Sequence, residues 1–209
     1  MPGDHLLQNP MAMITNGITI KAPPENIWPW IVQIGSGRAG WYSYDWIDNG
    51  GHASAKSILS EHQQLVPGDI VPAIPGSTDA FCVVVVEPPR HLILTVPDGS
   101  GSIQVSYEFL LLPLDPDHTR LVVRGRISQC WPTATQPSSG SSRPPIFIER
   151  IYSVLARIPR PVMLGVGFLG HHLMESRMLR GVKRRAEASG NARQVRTMQN
   201  GSCNQPPFI

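Results

Sequence analysis

The sequence predicts an α+β fold in which a curved antiparallel sheet wraps around one long C-terminal helix. Between residues 69 and 130, five β-rich runs follow one another, and each is bounded by Pro, Gly or Asp turns. The short links between these runs indicate an antiparallel meander. Residues 161–188 then carry apolar side chains at helical spacing. One helix cannot bury its apolar stripe alone and a curved sheet needs one covered face, so we expect the sheet to bend around this helix.

A strand and two short helices are predicted before the meander. Residues 11–20 end in the alternating run GITIKA, which is typical of a strand. A proline-initiated helix follows, and after the break GSGRAG a second short helix is expected over residues 42–49. The later strands are predicted at residues 69–73, 80–87, 91–96, 102–113 and 119–130, with a further short helix at residues 146–157. Within residues 102–111, the alternation places Tyr107 and Phe109 on one face and Glu108 on the other.

The chain of 209 residues is long enough for one domain with a buried core. We expect an N-terminal extension over residues 1–10 and the folded domain over residues 11–188. A Ser/Pro/Gly-rich flexible loop is predicted at residues 131–145, and a disordered polar tail at residues 189–209. Gly165, Gly167 and Gly170 leave two alternatives for the last helix. Either they mark a cavity beside the helix, or the segment becomes helical only at about residue 168.

Composition excludes several classes of protein. A hydrophobic content of 41% with 16% charged residues argues against a disordered chain. The apolar stretch at residues 162–170 is far shorter than the roughly 20 residues that a membrane-spanning helix needs. The three cysteines lack zinc-finger spacing, and the first residues lack the pattern of a signal peptide, so we expect a cytoplasmic protein with no metal and no cofactor.

The charge is distributed unevenly along the chain. Residues 1–174 have a net charge of −2, whereas residues 175–209 have a net charge of +5. Cations near a helix C-terminus offset the helix dipole, which is the structural interpretation. The basic end is also a candidate for weak contact with anionic membranes. No base-reading motif accompanies it, so we expect no nucleic-acid partner.

Four blocks of sequence resemble a known superfamily. They are IWPWIVQIGSGRAGWYSYDWIDN, QQLVPGDIV, TRLVVRGR and MESRMLRGVKRRAE, and in this order they resemble members of the SRPBCC (START-like) superfamily. More narrowly, they are similar to uncharacterised bacterial proteins described as polyketide cyclase/dehydrase-like. The resemblance implies a helix-grip fold with a deep hydrophobic cavity. Because the superfamily includes lipid carriers, cyclases and hormone-binding proteins, it does not fix an activity. The chain departs from the family pattern at Asp48, at His171-His172 and in the 131–145 loop.

We expect a set of aromatic and polar side chains to line the implied cavity. The predicted ligand-binding residues are Trp41, Tyr44, Tyr107, Phe109, Arg124, Phe168, His171 and Met174. The predicted catalytic candidates are Tyr44 and Asp45, since they stand in a cluster of aromatics and carboxylates that could hold a flat substrate and move protons. Alternatively, these aromatics belong to the core, and Asp45 caps the helix or pairs with Arg38.

Three further patterns allow two interpretations each. Arg124 and Arg126 share one strand face, where they either pair with Glu108 in water or meet a ligand oxygen in the cavity. His171 and Glu175 are four residues apart on one helix face, so they could reach one metal ion, although a hydrogen-bonding role for His171 is the simpler interpretation. GSGRAG satisfies a dinucleotide-binding pattern, but a helix precedes it, so we interpret it as a turn.

These observations support two functions. The first is binding of a hydrophobic or aromatic small molecule in an internal cavity. The alternative is a polyketide cyclase/dehydrase-like enzyme that uses acid and base groups in the cavity. The sequence leaves the ligand and the oligomeric state undetermined.

Overall fold

The computed structural model describes residues 1–75, 80–130 and 160–201. Three α-helices and six strands form its framework. The helices are α1 (Pro24–Val32), α2 (Asp45–Asp48) and α3 (Arg160–Gly201). The strands are β1 (Ala12–Ile20), β2 (Ile70–Pro72), β3 (Ala80–Glu87), β4 (His91–Pro97), β5 (Ile103–Asp115) and β6 (His118–Ile127). Short 3₁₀ helices span Pro2–His5 and Ser60–His62.

The strands form one antiparallel sheet in the order β1-β6-β5-β4-β3-β2. Strands β2 to β6 are therefore the predicted meander, and β1 joins it beside β6. Together with the long C-terminal helix α3, this arrangement is the helix-grip α+β fold, which confirms the predicted fold class.

The C-terminal helix excludes the alternative in which the segment becomes helical only at about residue 168. It is helical from Arg160, so the glycines at positions 165, 167 and 170 lie inside a helix. It also continues past the predicted end at residue 188 to Gly201. The predicted helix at residues 146–157 and the predicted loop at residues 131–145 lie outside the described residues.

The two faces of the sheet follow from the strand register, because directly opposed residues in an antiparallel pair point to the same side. Tyr107 is opposite Gly125, and Phe109 is opposite Val123. Phe109 and Val123 belong to the same buried core as the α3 residues Met178, Leu179, Val182 and Ala186. This inner face therefore looks toward α3, and burying each large apolar side chain contributes roughly 1.5–3 kcal/mol.

The loop after α1 fixes the middle of α3 against the fold. A Cβ at Gly181 would lie 2.5 Å from the Tyr42 carbonyl oxygen, so the helix approaches this loop as closely as a glycine permits. The Tyr42 hydroxyl donates to the Trp30 carbonyl and accepts from Gln33. The guanidinium of Arg185 stacks over the Tyr42 ring at 4.3 Å. These contacts set the position of α3 relative to the sheet.

The N-terminal extension covers part of the outer face. The carboxylate of Asp4 lies 2.7 Å from Arg124 Nη1 and 2.7 Å from Arg126 Nη1. Burial opposes the ionisation of Asp4, but hydrogen bonds from the Met1 amino group and both arginines outweigh it and lower the pKa of Asp4 to about 2. Glu108 on the same face accepts from Gly3 N and lies 2.7 Å from His91 Nε2.

Among the residues that the structure describes, no helix combines the length and the hydropathy needed to span a lipid bilayer.

Candidate functional site

A buried polar cluster lies between the inner face of the sheet and α3. Asn16 on β1 donates from Nδ2 to Oε2 of Glu175 at 2.8 Å. The Tyr107 hydroxyl on β5 lies near the same carboxyl group, and each group influences the pKa of the other. His171, one turn before Glu175 on α3, places Nε2 at 3.5 Å from Oε2. Side chains from three elements that are distant in sequence therefore meet at Glu175.

The Glu175 carboxyl is fully enclosed and incompletely hydrogen-bonded. Its side chain is 0% exposed. Its Oε1 atom has no hydrogen-bond partner among the described residues. A buried polar atom without a partner costs roughly 1–3 kcal/mol, so such atoms are rare in folded proteins unless they serve a purpose.

Burial shifts the pKa of the three titratable groups in the cluster, which are Glu175, Tyr107 and His171. Desolvation raises the pKa of Glu175 to about 7, although the hydrogen bonds from Asn16 and Tyr107 act in the opposite direction. Burial, followed by the nearby Glu175 charge, raises the pKa of Tyr107 well above its usual value. Burial and then the charge of His172 lower the pKa of His171. At neutral pH, Glu175 is thus a carboxyl poised between its two forms, beside a neutral phenol and a neutral imidazole.

Aromatic rings surround this cluster on the sheet side. The Tyr107 ring stacks on Phe81 with centroids 5.9 Å apart, and it meets Phe109 edge-on at 5.1 Å. Phe81 in turn contacts Trp41 at 5.7 Å, and Tyr107 contacts the His171 ring at 5.9 Å. The result is a continuous aromatic surface that ends at one ionisable carboxyl.

The cluster is more exposed on the side of His171 than at Glu175. The His171 side chain is 43% exposed although it lies next to the enclosed Glu175. A Cβ at Gly170 would meet no described atom within 4 Å. Under His171, a Cβ at Gly125 would lie 3.5 Å from the Tyr107 ring and 3.7 Å from His171 Nε2. The small residue Gly125 on β6 and the partly exposed His171 therefore border the enclosed carboxyl on the same side.

A separate groove lies at the edge of the sheet between β1 and α3. Its volume is about 220 Å³, and it is lined by Asn16, Gly17, Ile18, Ser176, Leu179 and Arg180. Asn16 borders both this groove and the Glu175 cluster.

Four of the eight predicted ligand-binding residues lie at the aromatic surface, and two others lie on α3. Trp41, Tyr107, Phe109 and His171 come together at the aromatic surface. Phe168 is half-buried on α3, and the Met174 carbonyl accepts a hydrogen bond from Ser43 Oγ at 3.0 Å.

Arg124 lies on the opposite face from the aromatic surface. It is opposite Glu108 in the register, and it binds Asp4 and the Thr15 hydroxyl. The alternation of the strand predicted that Arg124 and Arg126 share a face, and both bind Asp4. Because this face points away from α3, Arg124 is not part of the site that we propose below.

Tyr44 and Asp45, the predicted catalytic candidates, make contacts within the α2 region. The Asp45 carboxylate accepts hydrogen bonds from the backbone N–H and the hydroxyl of Ser54. The guanidinium of Arg177 lies 4.4 Å from the centre of the Tyr44 ring. These contacts hold the loop that follows α2, and a catalytic role for either residue stays a prediction.

Asp48 is a second buried carboxyl in this region. It is 3% exposed, and neither of its oxygens has a partner at hydrogen-bond geometry among the described residues. Desolvation, and then the charge of Asp45, raise the pKa of Asp48 to about 6.

The site contains three residues that are not among the predicted ligand-binding residues, namely Glu175, Asn16 and Phe81. Glu175 was marked by its spacing from His171, but its neighbours Asn16 and Phe81 had no local signal. Asn16 reaches Glu175 across 159 positions in the sequence. Within the described residues, no group of three or more His, Cys, Asp or Glu side chains could hold a metal ion.

The GSGRAG segment is a turn rather than a phosphate-binding loop. Gly35 and Gly40 form an isolated antiparallel bridge, and both have positive φ angles, +130° and +77°. Helix α1 ends at Val32 just before this segment, whereas a dinucleotide site needs a strand there.

Several basic residues of α3 are used within the fold. Arg177 and Arg185 stack over Tyr44 and Tyr42, and Lys183 donates to the Thr19 carbonyl at 2.8 Å. Part of the positive charge therefore stabilises the packing of α3. Contact of this helix with an anionic membrane stays a prediction.

Comparisons with known proteins give matches among solved structures alone. No family model and no curated protein matches the chain. One matching structure is a Polyketide_cyc-like protein from Corynebacterium glutamicum, with 17% identity, 85% of this chain and 92% of that chain covered, and a TM-score of 0.40. A protein from Nitrosomonas europaea has 9% identity, coverages of 85% and 95%, and a TM-score of 0.48.

A conserved protein of unknown function from Enterococcus faecalis matches at 14% identity and a TM-score of 0.40. That match covers 61% of this chain and 63% of the other, less than two thirds of its length. The strand order and the C-terminal helix, rather than these distant likenesses, establish the fold. The chain has the helix-grip α+β fold, which is the fold implied by the resemblance of its sequence to SRPBCC proteins.

Proposed function

We propose that this protein binds a hydrophobic or aromatic small molecule between the inner face of the sheet and the first turns of α3. The apolar body of the ligand would lie against Tyr107, Phe81 and Trp41, and its polar end would meet Glu175. The observation that carries the proposal is the enclosed Glu175 carboxyl with an unpartnered oxygen at the end of an aromatic surface. A purely structural interior would be more stable with an apolar residue there, since an unpaired buried polar group is destabilising.

A substitution at Gly125 tests this location. Gly125→Leu would place a branched side chain between Tyr107 and His171, where even a Cβ is already in van der Waals contact. Gly99→Leu is the matched control, because a Cβ at Gly99 would meet no atom of the described residues within 4 Å. We would measure binding of the neutral fluorophore N-phenyl-1-naphthylamine, and identify any co-purified molecule by native mass spectrometry. We expect Gly125→Leu to weaken binding at least about tenfold and Gly99→Leu to leave it unchanged.

Equal affinity in both variants would place the ligand elsewhere. Absence of probe binding to the wild-type protein, together with a clean apo mass, would contradict the proposed function.

An enzymatic function is the second candidate, and a specific observation favours it. A general acid or base works best when its pKa lies near the working pH, and the pKa of Glu175 is raised to about 7. The neighbouring Tyr107 hydroxyl and His171 imidazole could then orient a carbonyl substrate, as in polyketide cyclase/dehydrase-like chemistry. The cluster therefore suits proton transfer next to a carbonyl group.

Deuterium exchange at the α-carbon of 4-phenyl-2-butanone, followed by NMR, would distinguish these functions. An enzyme of this kind should accelerate exchange, and Glu175→Gln should abolish the acceleration while the ketone still binds. A binding protein should leave the exchange rate unchanged in both forms.

A further inference from the structure

Among the described residues, the groups that face Glu175 are polar and neutral. Asn16 from β1 offers a neutral amide, and Tyr107 from β5 offers a neutral hydroxyl. His171 from α3 is the nearest basic group, and burial and then His172 lower its pKa and favour its neutral form. The ionised carboxyl thus has no counter-ion among the contacting residues that the structure describes.

The unpartnered Oε1 atom of Glu175 could accept a hydrogen bond from a ligand. Oε2 accepts from Asn16 and lies near His171, whereas Oε1 has no partner among the described residues. A buried carboxylate gains most from a donor that also carries charge, because charge-assisted hydrogen bonds are roughly twice as strong as neutral ones. Aromatic faces nearby favour a cation as well, and the Tyr107 and Phe81 rings line this end of the site.

From this geometry we infer that the ligand carries a protonated amine, which donates to Oε1 of Glu175 while its apolar part lies on the aromatic surface. This inference rests on the proposed function, because it specifies the polar end of the same ligand. A carboxylate ligand would bring a second negative charge to the site. A carbonyl ligand would bind only the protonated form of Glu175.

The affinities of a protonated amine and of a carbonyl ligand should change in opposite directions with pH. Glu175 loses its proton as the pH rises through about 7. An amine should therefore bind more tightly above neutral pH, as long as the amine itself stays protonated. A carbonyl acceptor should bind more weakly there, because the carboxyl proton it needs is lost.

The test uses three probes that share a naphthalene ring: 2-(2-naphthyl)ethylamine, 2-(2-naphthyl)ethanol and 2-naphthylacetate. Isothermal titration calorimetry would give each Kd for the wild-type protein at about pH 6 and about pH 8.5. At the higher pH we expect the amine to bind at least about tenfold more tightly than the alcohol, and the carboxylate most weakly. The affinity for the amine should also be higher at about pH 8.5 than at about pH 6. At about pH 6, binding of the amine should release the Glu175 proton to the buffer.

Two substitutions assign the effect to Glu175. Glu175→Gln keeps the shape but not the charge, so it should reduce the preference for the amine over the alcohol to within a few fold. Asp48→Asn is the matched control, because Asp48 is a buried carboxyl in α2 whose pKa is set by burial and by Asp45, Tyr44 and Ser43. It should leave the preference intact. The comparison of probes and pH values needs only the wild-type protein, so it decides the question even if a variant is unstable.

The outcomes separate the inference from the proposed function. If the alcohol binds as tightly as the amine, or the amine loses affinity at high pH, the inference is wrong while a ligand site remains. If none of the three probes and no neutral fluorophore binds, both the site and the inference fail.

Discussion

Replacing Glu175 by glutamine should change how the stability of the protein depends on pH. In the unfolded chain the carboxyl has its ordinary pKa of 4.5, whereas desolvation in the folded protein raises the pKa to about 7. Below 4.5 the group is protonated in both states, and the folded protein holds the neutral form without penalty. Between pH 4.5 and about 7 the unfolded chain ionises this carboxyl while the folded protein keeps it protonated, so the free energy of unfolding falls over this range and levels off above it.

The size of this effect follows from the two pKa values. One pKa unit corresponds to 1.36 kcal/mol, so the full change from 4.5 to about 7 amounts to about 3 kcal/mol. Between about pH 5 and pH 8, the wild-type protein should lose about 2.5 kcal/mol of stability through this group. Glu175→Gln has the same shape and no titration, so it should lose none of this amount.

The assay is urea unfolding of both proteins, followed by tryptophan fluorescence at a series of pH values. The quantity to compare is the difference in free energy of unfolding between variant and wild type, because all other titrating groups cancel in it. Asp48→Asn is the control, because folding raises the pKa of Asp48 from 3.8 to about 6. The difference in free energy of unfolding between Asp48→Asn and wild type should therefore change mainly between pH 3.8 and about pH 6, and it should level off above about pH 7. If the Glu175→Gln difference is constant from about pH 5 to pH 8, the carboxyl is solvated or already paired, and the site geometry argued here is wrong.

The other predictions concern helix α3 and the loop after α2. Gly181→Ala should destabilise the protein by about 2 kcal/mol, because its Cβ would overlap the Tyr42 carbonyl. Gly170→Ala should stabilise it by up to about 1 kcal/mol, because a Cβ there meets no described atom within 4 Å and alanine favours helix. Thermal and urea unfolding of the pair would check both signs, and equal effects would contradict the close approach of α3 to this loop. Asp45→Ala should lower the free energy of unfolding by about 1–2 kcal/mol, because Ser54 loses two hydrogen bonds. Unchanged stability would contradict a structural role for Asp45 in this loop.

Local sequence patterns predicted the elements well because each pattern depends on neighbouring residues. Alternation in residues 102–111 correctly placed Tyr107 and Phe109 on one face and Glu108 on the other. The four-residue spacing of His171 and Glu175 correctly placed both on one side of a helix. What alternation leaves open is which face of a strand looks toward the helix. Arg124 illustrates this limit, because its strand was predicted while its direction was not.

The candidate site depended on contacts that no local pattern encodes. Asn16 belongs to the first strand, and it meets Glu175 only because β1 pairs with β6 at the edge of the sheet. Phe81 joins the aromatic surface because β3 lies two strands from β5 in the sheet order. Both neighbours come from pairings between segments far apart in the chain.

The sequence by itself determined the order and type of the elements, the composition of the core and the resemblance to helix-grip proteins. Periodicity suffices for these properties because side chains alternate along a strand and recur every 3.6 residues along a helix. The tertiary structure alone decided that Glu175 is enclosed and that, among the described residues, its neighbours are neutral and its Oε1 lacks a partner. A pKa and a binding preference depend on desolvation and on nearby charges in space, so they exist only once the sheet and the helix are packed together.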